Sequence, residues 1–312
     1  MRKLCIAMAK GTEISLNQER YVLEALKHGV RGDGRRIDEI RDPKIILSPS
    51  EYGYVEIEWG NTKLAVRVLA EIAKPYDDRP FEGIFTINTE ISPMASPQFE
   101  NGKNSDDEVL VSRIVEKAIR RSNALDLESL CIVAGSKVWA VRADVNFLDF
   151  DGGLIDACAL GVMVALQHFR KPDVSIDGES IVVHSMDERQ PVALSILHVP
   201  LCVSFSFFNP SDIEETVKGD ASDEIAVMDA THEEELVRDG SLVVTLNKNR
   251  EILQVSKSGG LPIDAVVLMD LCRKAYTVTS ELTDRVKEIL KKDDAERYKR
   301  MNMKLLEVGA SR

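Results

Sequence analysis

The chain has 312 residues, 44% hydrophobic and 29% charged, with a formal net charge of −12, long enough for a substantial core and, on size, two domains. The charge excludes nucleic-acid binding spread over the whole surface. No apolar run reaches the roughly 18–20 residues of a membrane span, and residues 1–9 are too mixed for a secretory signal, so a location inside the cell is expected.

The first expected element is a helix. Ser15 and Gln18 have capping-box spacing, Tyr21, Val22, Ala25 and Leu26 recur at helical spacing, and Gly29 supplies the stop. The loop 31–36 has two glycines but no helix start behind it, so it is not a dinucleotide fingerprint. Strands are expected at 44–47, 54–59, 63–72 and 81–91, with Gly60-Asn61 as a hairpin turn and a loop over 92–105. An amphipathic helix over 107–122 carries the apolar stripe Val111, Ile114, Val115 and Ala118. Strands at 130–134 and 137–148 lead into Asp151-Gly152-Gly153. The helix 154–169 is apolar almost all round and should be buried; Asp156, near its start, suits the helix dipole.

After Lys171-Pro172 the pattern restarts, with strands at 180–184, 193–198, 201–207, 241–247 and 251–255. Ser258-Gly259-Gly260 precedes a long helix from Ile263 toward Lys292, and a charged tail follows, helical in part. Strands then helices, twice over, define an α+β plan with an internal duplication. The expected parts are an N-terminal extension and helix (1–29), a first half (30–172), a second half (180–275) and a C-terminal helical tail (276–312).

Five scattered cysteines without a CxxC pair and five scattered histidines indicate no disulfide framework and no metal site. Between Asp212 and Asp239, eleven acidic residues face only Lys218 and Arg238, a local charge of −9. The remainder is near neutral, so any contact with nucleic acid must be local.

Three places are candidates for chemistry. Asp106, Asp107 and Glu108 open the helix near 107, where they would cap it and repel a phosphate. Asp144, Asp149 and Asp151 stand at a strand end, where two converging carboxylates suit a metal ion or acid–base work, although glycines after a strand are ordinary turn chemistry. Arg113, Lys117, Arg120 and Arg121 share about a quarter of the helical circumference at ~100° per residue. Such a face suits successive phosphates, but spacing alone favours a solvated surface.

Several motifs are more specific. Arg31-x-Asp33-Gly34-Arg35 and Gly60-Asn61-Thr62-Lys63 resemble the start of ribonuclease PH domains. Arg79-Pro80-Phe81-Glu82-Gly83, Thr89-Glu90-Ile91-Ser92-Pro93-Met94-Ala95, Phe99-Glu100, the segment from Glu128-Ser129-Leu130 to Gly135, and Lys137-Val138-Trp139 extend the likeness. From about Leu16 to about Ile289 the chain is similar to the polymyositis/scleroderma autoantigen-type ring subunits of the eukaryotic RNA exosome, in a budding-yeast-like form.

The resemblance implies a ribonuclease PH fold: duplicated βαβ units, like ribosomal protein S5 domain 2. It implies a six-membered ring with RNA-binding cap subunits, pairing with the ring subunit most like the archaeal catalytic one, and RNA threaded through the channel to a separate 3'-to-5' nuclease. Nuclear, nucleolar and cytoplasmic location is expected, with processing and decay of rRNA, mRNA and other RNAs, and with no membrane, metal or cofactor. Active relatives bind phosphate at the start of the helix near Asp107 and carry paired aspartates leading into Asp-Gly-Gly-Thr-Arg. Here acids including Asp107 fall on the phosphate site, Asn146 falls on one carboxylate position, Asp151 is kept, and Leu154-Ile155 replace Thr-Arg. The resemblance therefore implies a subunit without phosphorolytic activity. It also matches Arg113 and Lys117 to helix positions where ring relatives touch RNA phosphates, leaving Arg120 and Arg121 nearer the solvated reading. The competing readings are an active phosphate-dependent exoribonuclease and a scaffold that never touches RNA.

Overall fold

Ser15 caps helix α1 (Leu16–Lys27) with the expected reciprocal pair: its Oγ accepts from the Gln18 amide, and the Gln18 side chain accepts from the Ser15 amide, both at 3.3 Å. The computed structural model describes residues 14–100, 105–177, 180–185, 189–209 and 224–310, with backbone alone for 177, 180 and 301–310. Cys5 and most of the acidic segment, residues 212–223, lie outside the described residues.

Alternating apolar residues build the first sheet. Strands β1 (Pro43–Leu47), β2 (Tyr54–Trp59), β3 (Thr62–Ala73), β4 (Ile84–Ile91), β5 (Cys131–Val133) and β6 (Lys137–Asp149) run in the order β1-β2-β3-β6-β4, with β5 on β6. Trp59 pairs with Thr62 across Gly60-Asn61, and Gly60 takes φ 63°, as a two-residue hairpin requires. One pairing is parallel, β4 with β6, and helix α2 (Asp106–Arg120) makes the crossover, so β4-α2-β6 is a βαβ unit. Val55, Ile57 and Trp59, and Val141, Ala143, Val145 and Phe147, point to the core face.

Helix α3 (Leu154–His168) is buried on nearly every side. It packs on β2 and β3 with one face and on β11 (Leu201–Phe208) with another. Gly161 permits that approach: a Cβ there would sit 2.8 Å from Leu64 Cδ1 and 2.9 Å from Val66 Cγ2. The second sheet runs β12 (Ile225–Met228), β11, β13 (Gly240–Leu246), β14 (Ile252–Gly259), all antiparallel. Helix α5 (Ala265–Ala310) covers it with Leu271 and Ala275, then contributes Leu282 and Val286 to the core around α3.

Several expectations are corrected. Residues 81–83 are not strand; β4 begins at Ile84. Of the strand expected at 193–198, only β10 (Val192–Ala193) forms, on β7 (Arg170–Lys171). Farther along, Ile196 bridges Leu125, and the Leu197 amide donates to the Ala124 carbonyl, so this segment edges a loop instead of joining a sheet. Hairpin β8 (Val174–Asp177) and β9 (Ser180–Val183), strand β12 and helix α4 (His232–Val237) include elements the periodicity did not announce.

The charged tail is also more ordered than expected, because it docks. Arg297 stacks over Tyr52 at 4.4 Å, pairs with Asp293, and donates to the Ser48 carbonyl in the β1–β2 connection. His168, at the end of α3, accepts from the Gly53 amide through Nδ1 at 3.1 Å, with Nε2 3.4 Å from Asp293. Burial, reinforced by Arg297, pushes its pKa down to about 4, so the ring is neutral at pH 7.

Candidate nucleic-acid interface

Helix α2 starts on a complete capping box. Ser105 Oγ accepts from the Glu108 amide, and Glu108 Oε2 accepts from the Ser105 amide at 2.7 Å. The other Glu108 oxygen takes the Ile91 amide at 2.6 Å, so this carboxylate is buried and fully used in joining α2 to β4. Asp106 and Asp107 remain exposed at the free amides of the first turn.

Farther along the helix Arg113, Lys117 and Arg120 stand in solvent, with Arg121 as the C-cap, and Asp106, seven residues before Arg113, opens the same face. Glu116 lies 3.4 Å from Arg113 and 3.6 Å from Arg120, in pairs on the helix surface. Such exposed pairs are worth ~0–1 kcal/mol, so either guanidinium can swing to a phosphate at small cost. Among the described residues, no hydrogen bond or ion pair engages the side chain of Lys117 or Arg121; the Arg121 amide donates to the Lys117 carbonyl at 3.1 Å. The face is not purely basic: Val109 and Leu110, 46% and 47% exposed, lie on it toward the helix start.

The three aspartates of the strand end do not converge. Asp144 accepts from Asn88 and Arg142 on the open face of the sheet. Asp149 bonds the adjacent Phe150 amide. Asp151 lies past the end of β6, accepting from Asn61 Nδ2 at 3.1 Å, with the His232 amide at 3.4 Å. Asn146 is exposed on the open face, in register with Ala65 and Glu90. Asp149 and Asp151 do not sit on one strand face, because β6 ends between them, beside a register shift at Lys63/Leu64. Among the described residues no group of three or more His, Cys, Asp and Glu side chains is gathered for a metal ion.

The Asp-Gly-Gly turn has a packing role. A Cβ on Gly152 would strike the backbone of Ala230 and His232 at 2.8 Å, and one on Gly153 would strike Arg41 Nη2 at 2.5 Å. Both glycines have positive φ, so the turn lets the start of α3 dock on the β12–α4 turn. Glu235 Oε1 accepts the Gly153 amide at 3.2 Å, placing the chain's own carboxylate where this helix start would bind an anion.

Sequence reasoning assigned no chemistry to the charged groups beneath this turn. Asp229, wholly buried, accepts from the Arg41 amide (2.8 Å) and Nη2 (2.7 Å), from Arg35 Nη1 (2.9 Å) and from Trp59 Nε1 (3.0 Å). Beside it Arg31 forms a fork with Glu234 at 2.6 and 3.0 Å. These groups clamp the 31–41 loop and the β2–β3 hairpin to the β12–α4 turn. Thr231-x-x-Glu234, a readable capping box for α4, was the available signal. Asp156, placed by its sequence position to suit the helix dipole, is buried, with Oδ2 accepting from the Ser204 amide and hydroxyl, and Oδ1 without a partner among the described residues.

Two main sheets, a βαβ unit, a basic helix face and an Asp-Gly-Gly turn make up the frame that the resemblance to ribonuclease PH domains implies. Residues 39–172 match domain 1, and residues 198–277 domain 2, of the 3' exoribonuclease family, RNase PH, and the chain belongs to that family. It is 57% identical over 293 residues to exosome complex component RRP45 of Saccharomyces cerevisiae, covering 94% of this chain and 96% of that one. With rrp45 of Schizosaccharomyces pombe it shares 45% over 286 residues, 92% and 94% of the two chains. Among solved structures it is similar to an Archaeoglobus fulgidus exosome with RNA bound to the active site, with TM-score 0.72, 30% identity, and 86% and 97% of the two chains covered. An archaeal exosome core aligns at TM-score 0.67 and 27% identity, over 87% and 96%. The expected ribonuclease PH fold and exosome-subunit kinship are borne out.

Proposed function

We propose that this protein is a non-catalytic subunit of the ribonuclease PH-like ring of an RNA exosome, guiding RNA with the basic face of α2 toward an associated 3'-to-5' nuclease. Its partners would be the other ring subunits, the cap subunits and that nuclease, in nucleus, nucleolus and cytoplasm. The observation that carries the guiding role is the exposed cationic face: Arg113, Lys117, Arg120 and Arg121, with Glu116 the carboxylate paired to two of them and Asp106 at the helix start. The similarity to RRP45 proteins and to an exosome with bound RNA supports the setting.

Replacing Arg113 and Lys117 together by Glu should weaken RNA protection by the assembled particle. The salt dependence of binding should lose a slope of roughly one per phosphate contact removed, about two for the pair. Unchanged protection and slope would leave the scaffold reading in place.

The absence of turnover rests on separate groups. Phosphorolysis needs cationic donors for inorganic phosphate and an acid for the leaving oxygen. Asp106 and Asp107 flank the helix start instead, Glu235 accepts the Gly153 amide at the start of α3, and an amide, Asn146, stands where the resemblance places a carboxylate. Purified chain, alone and with its ring partner, should release no nucleoside diphosphates from RNA in phosphate. Release that Asp151→Ala abolishes would establish the active-exoribonuclease reading instead.

A further inference from the structure

Along the exposed face of α2 the chemistry changes in a fixed order. Asp106 and Asp107 stand at its start, Val109 and Leu110 follow within the first turn, and Arg113, Lys117 and Arg120 occupy the rest. At ~100° per residue Val109 and Leu110 lie within about 60° of Arg113, on the same side as Lys117 and Arg120. Both are about half exposed, whereas Val111, Val115, Ala118 and Ile119 of the same helix are buried. Among the described residues, Val109 and Leu110 join none of the hydrophobic clusters, so the core is packed without them.

The pair is also held in place. Glu108, the residue before it, accepts from the Ser105 and Ile91 amides, and its carbonyl accepts from Thr89 Oγ1 at 2.9 Å. The turn that carries Val109 and Leu110 is thereby tied to β4 as well as to its own cap. A ligand meeting the pair finds a surface already fixed, with little backbone left to order. The charges then decide which part of a nucleotide can lie there. Arg113, Lys117 and Arg120 attract a run of phosphates over about 10.5 Å of the axis, at ~1.5 Å per residue. Asp106 and Asp107 repel phosphate, so that run cannot continue over the helix start. What suits the apolar turn between them is the uncharged part of a nucleotide, its base, which has an apolar face whatever its identity.

We propose that Val109 and Leu110 form a base-packing step that makes this face selective for single-stranded RNA. The phosphates ride on Arg113, Lys117 and Arg120, and the base of the nucleotide beside the Arg113 phosphate turns onto the two apolar side chains. This rests on the guiding role proposed above and adds a selectivity to it. In a duplex the bases stack on one another, and the helix meets only phosphates, sugars and groove edges. A strand with an unstacked base gains a contact that a duplex cannot make.

Two fluorescent probes of equal length and charge separate base from phosphate: an oligouridylate, and the matching oligomer of abasic ribose phosphate. Binding is measured on the assembled particle. Val109→Ala with Leu110→Ala, which keeps good helix formers, should weaken the oligouridylate about five-fold, the loss of part of one apolar contact. The abasic oligomer and the salt dependence of binding should be unchanged. Leu110→Phe should tighten the oligouridylate alone by about the same factor, because a flat ring covers more of a base. Arg113→Glu with Lys117→Glu should weaken both probes alike.

Equal losses for the two probes in the double-alanine variant, or no loss for either, overturn the base-packing step. The guiding role survives that result if the charge-reversed variant still weakens both probes. If charge reversal changes neither probe, the guiding role falls and base packing falls with it. Failure of the double-alanine chain to enter the particle would assign the pair to a neighbouring protein subunit and overturn the proposal as well.

Discussion

Asp229→Ala should lower the unfolding free energy by about 3–5 kcal/mol, the expected cost of leaving buried cations without their partner. Two guanidinium groups and an indole converge on this carboxylate, and neither Arg41 nor Trp59 can move into water without dismantling the core around α3. Burial pushes the Asp229 pKa up, but hydrogen bonds and charge from Arg41, then Arg35, outweigh it and hold the carboxyl below the usual carboxylate range. A depressed folded-state pKa fixes the sign: the stabilisation is present above about pH 4 and is lost as pH falls through the folded value. Asp229→Asn keeps the shape and suits the left-handed backbone (φ 50°), yet it aims an amide donor at guanidinium donors, so it should recover only part of the loss. Urea unfolding followed by tryptophan fluorescence reports directly, because Trp59 donates to this group. A midpoint unchanged in Asp229→Ala would show that the clamp contributes nothing to folding.

That clamp marks the limit of what the sequence reveals. Elements whose signals are local were legible: the Ser15–Gln18 box, the Gly60-Asn61 hairpin, the stripe of α2 and the all-round apolar α3. Each depends on residues within a few positions of one another. Strand β12 was not legible, because four residues inside an acidic stretch become a strand only by pairing with β11, as Phe205 with Met228. The Asp229 site was hidden for the same reason, since its main partner, Arg41, lies 188 residues away. In α2 the pairing of Glu116 with Arg113 and Arg120 follows from spacings of three and four residues, whereas the double use of Glu108, on its own cap and on β4, needed the fold. The Asp-Gly-Gly turn shows how a motif changes meaning in context. Gly152 leaves room for the β12–α4 turn, whose backbone a Cβ would meet at 2.8 Å, a packing demand independent of whether phosphate ever binds.

Asp156→Asn should produce the second large effect, with a pH dependence opposite to that of Asp229. Asp156 is buried at the first turn of α3, and its unpartnered Oδ1 makes the ionised form expensive. Burial first, then the negative charge of Asp229, push its pKa up to about 7, against lowering by Ser204 and Arg41. An acid whose folded-state pKa is raised holds its proton in the native state while the unfolded chain releases it. Between about pH 4 and pH 7 the native protein therefore binds more protons, and stability falls as pH rises, by a few kcal/mol in total. Asparagine keeps the oxygen that accepts from the Ser204 amide (2.9 Å) and hydroxyl (2.6 Å) and carries no charge to desolvate. The variant should match the parent near pH 5 and become progressively more stable than it toward pH 8. Parallel stability profiles for the two proteins, measured by urea unfolding across that range, would remove Asp156 as the titrating group. The same argument couples the two sites: Asp229→Asn takes away an anion facing Asp156, so it should lower the Asp156 pKa and flatten the parent's decline between pH 5 and 8. In the native protein the ionised Asp229 makes ionisation of Asp156 harder. The junction between the two halves thus keeps one carboxylate charged because arginines surround it, and the other protonated up to about neutral pH because burial and the first carboxylate oppose its charge.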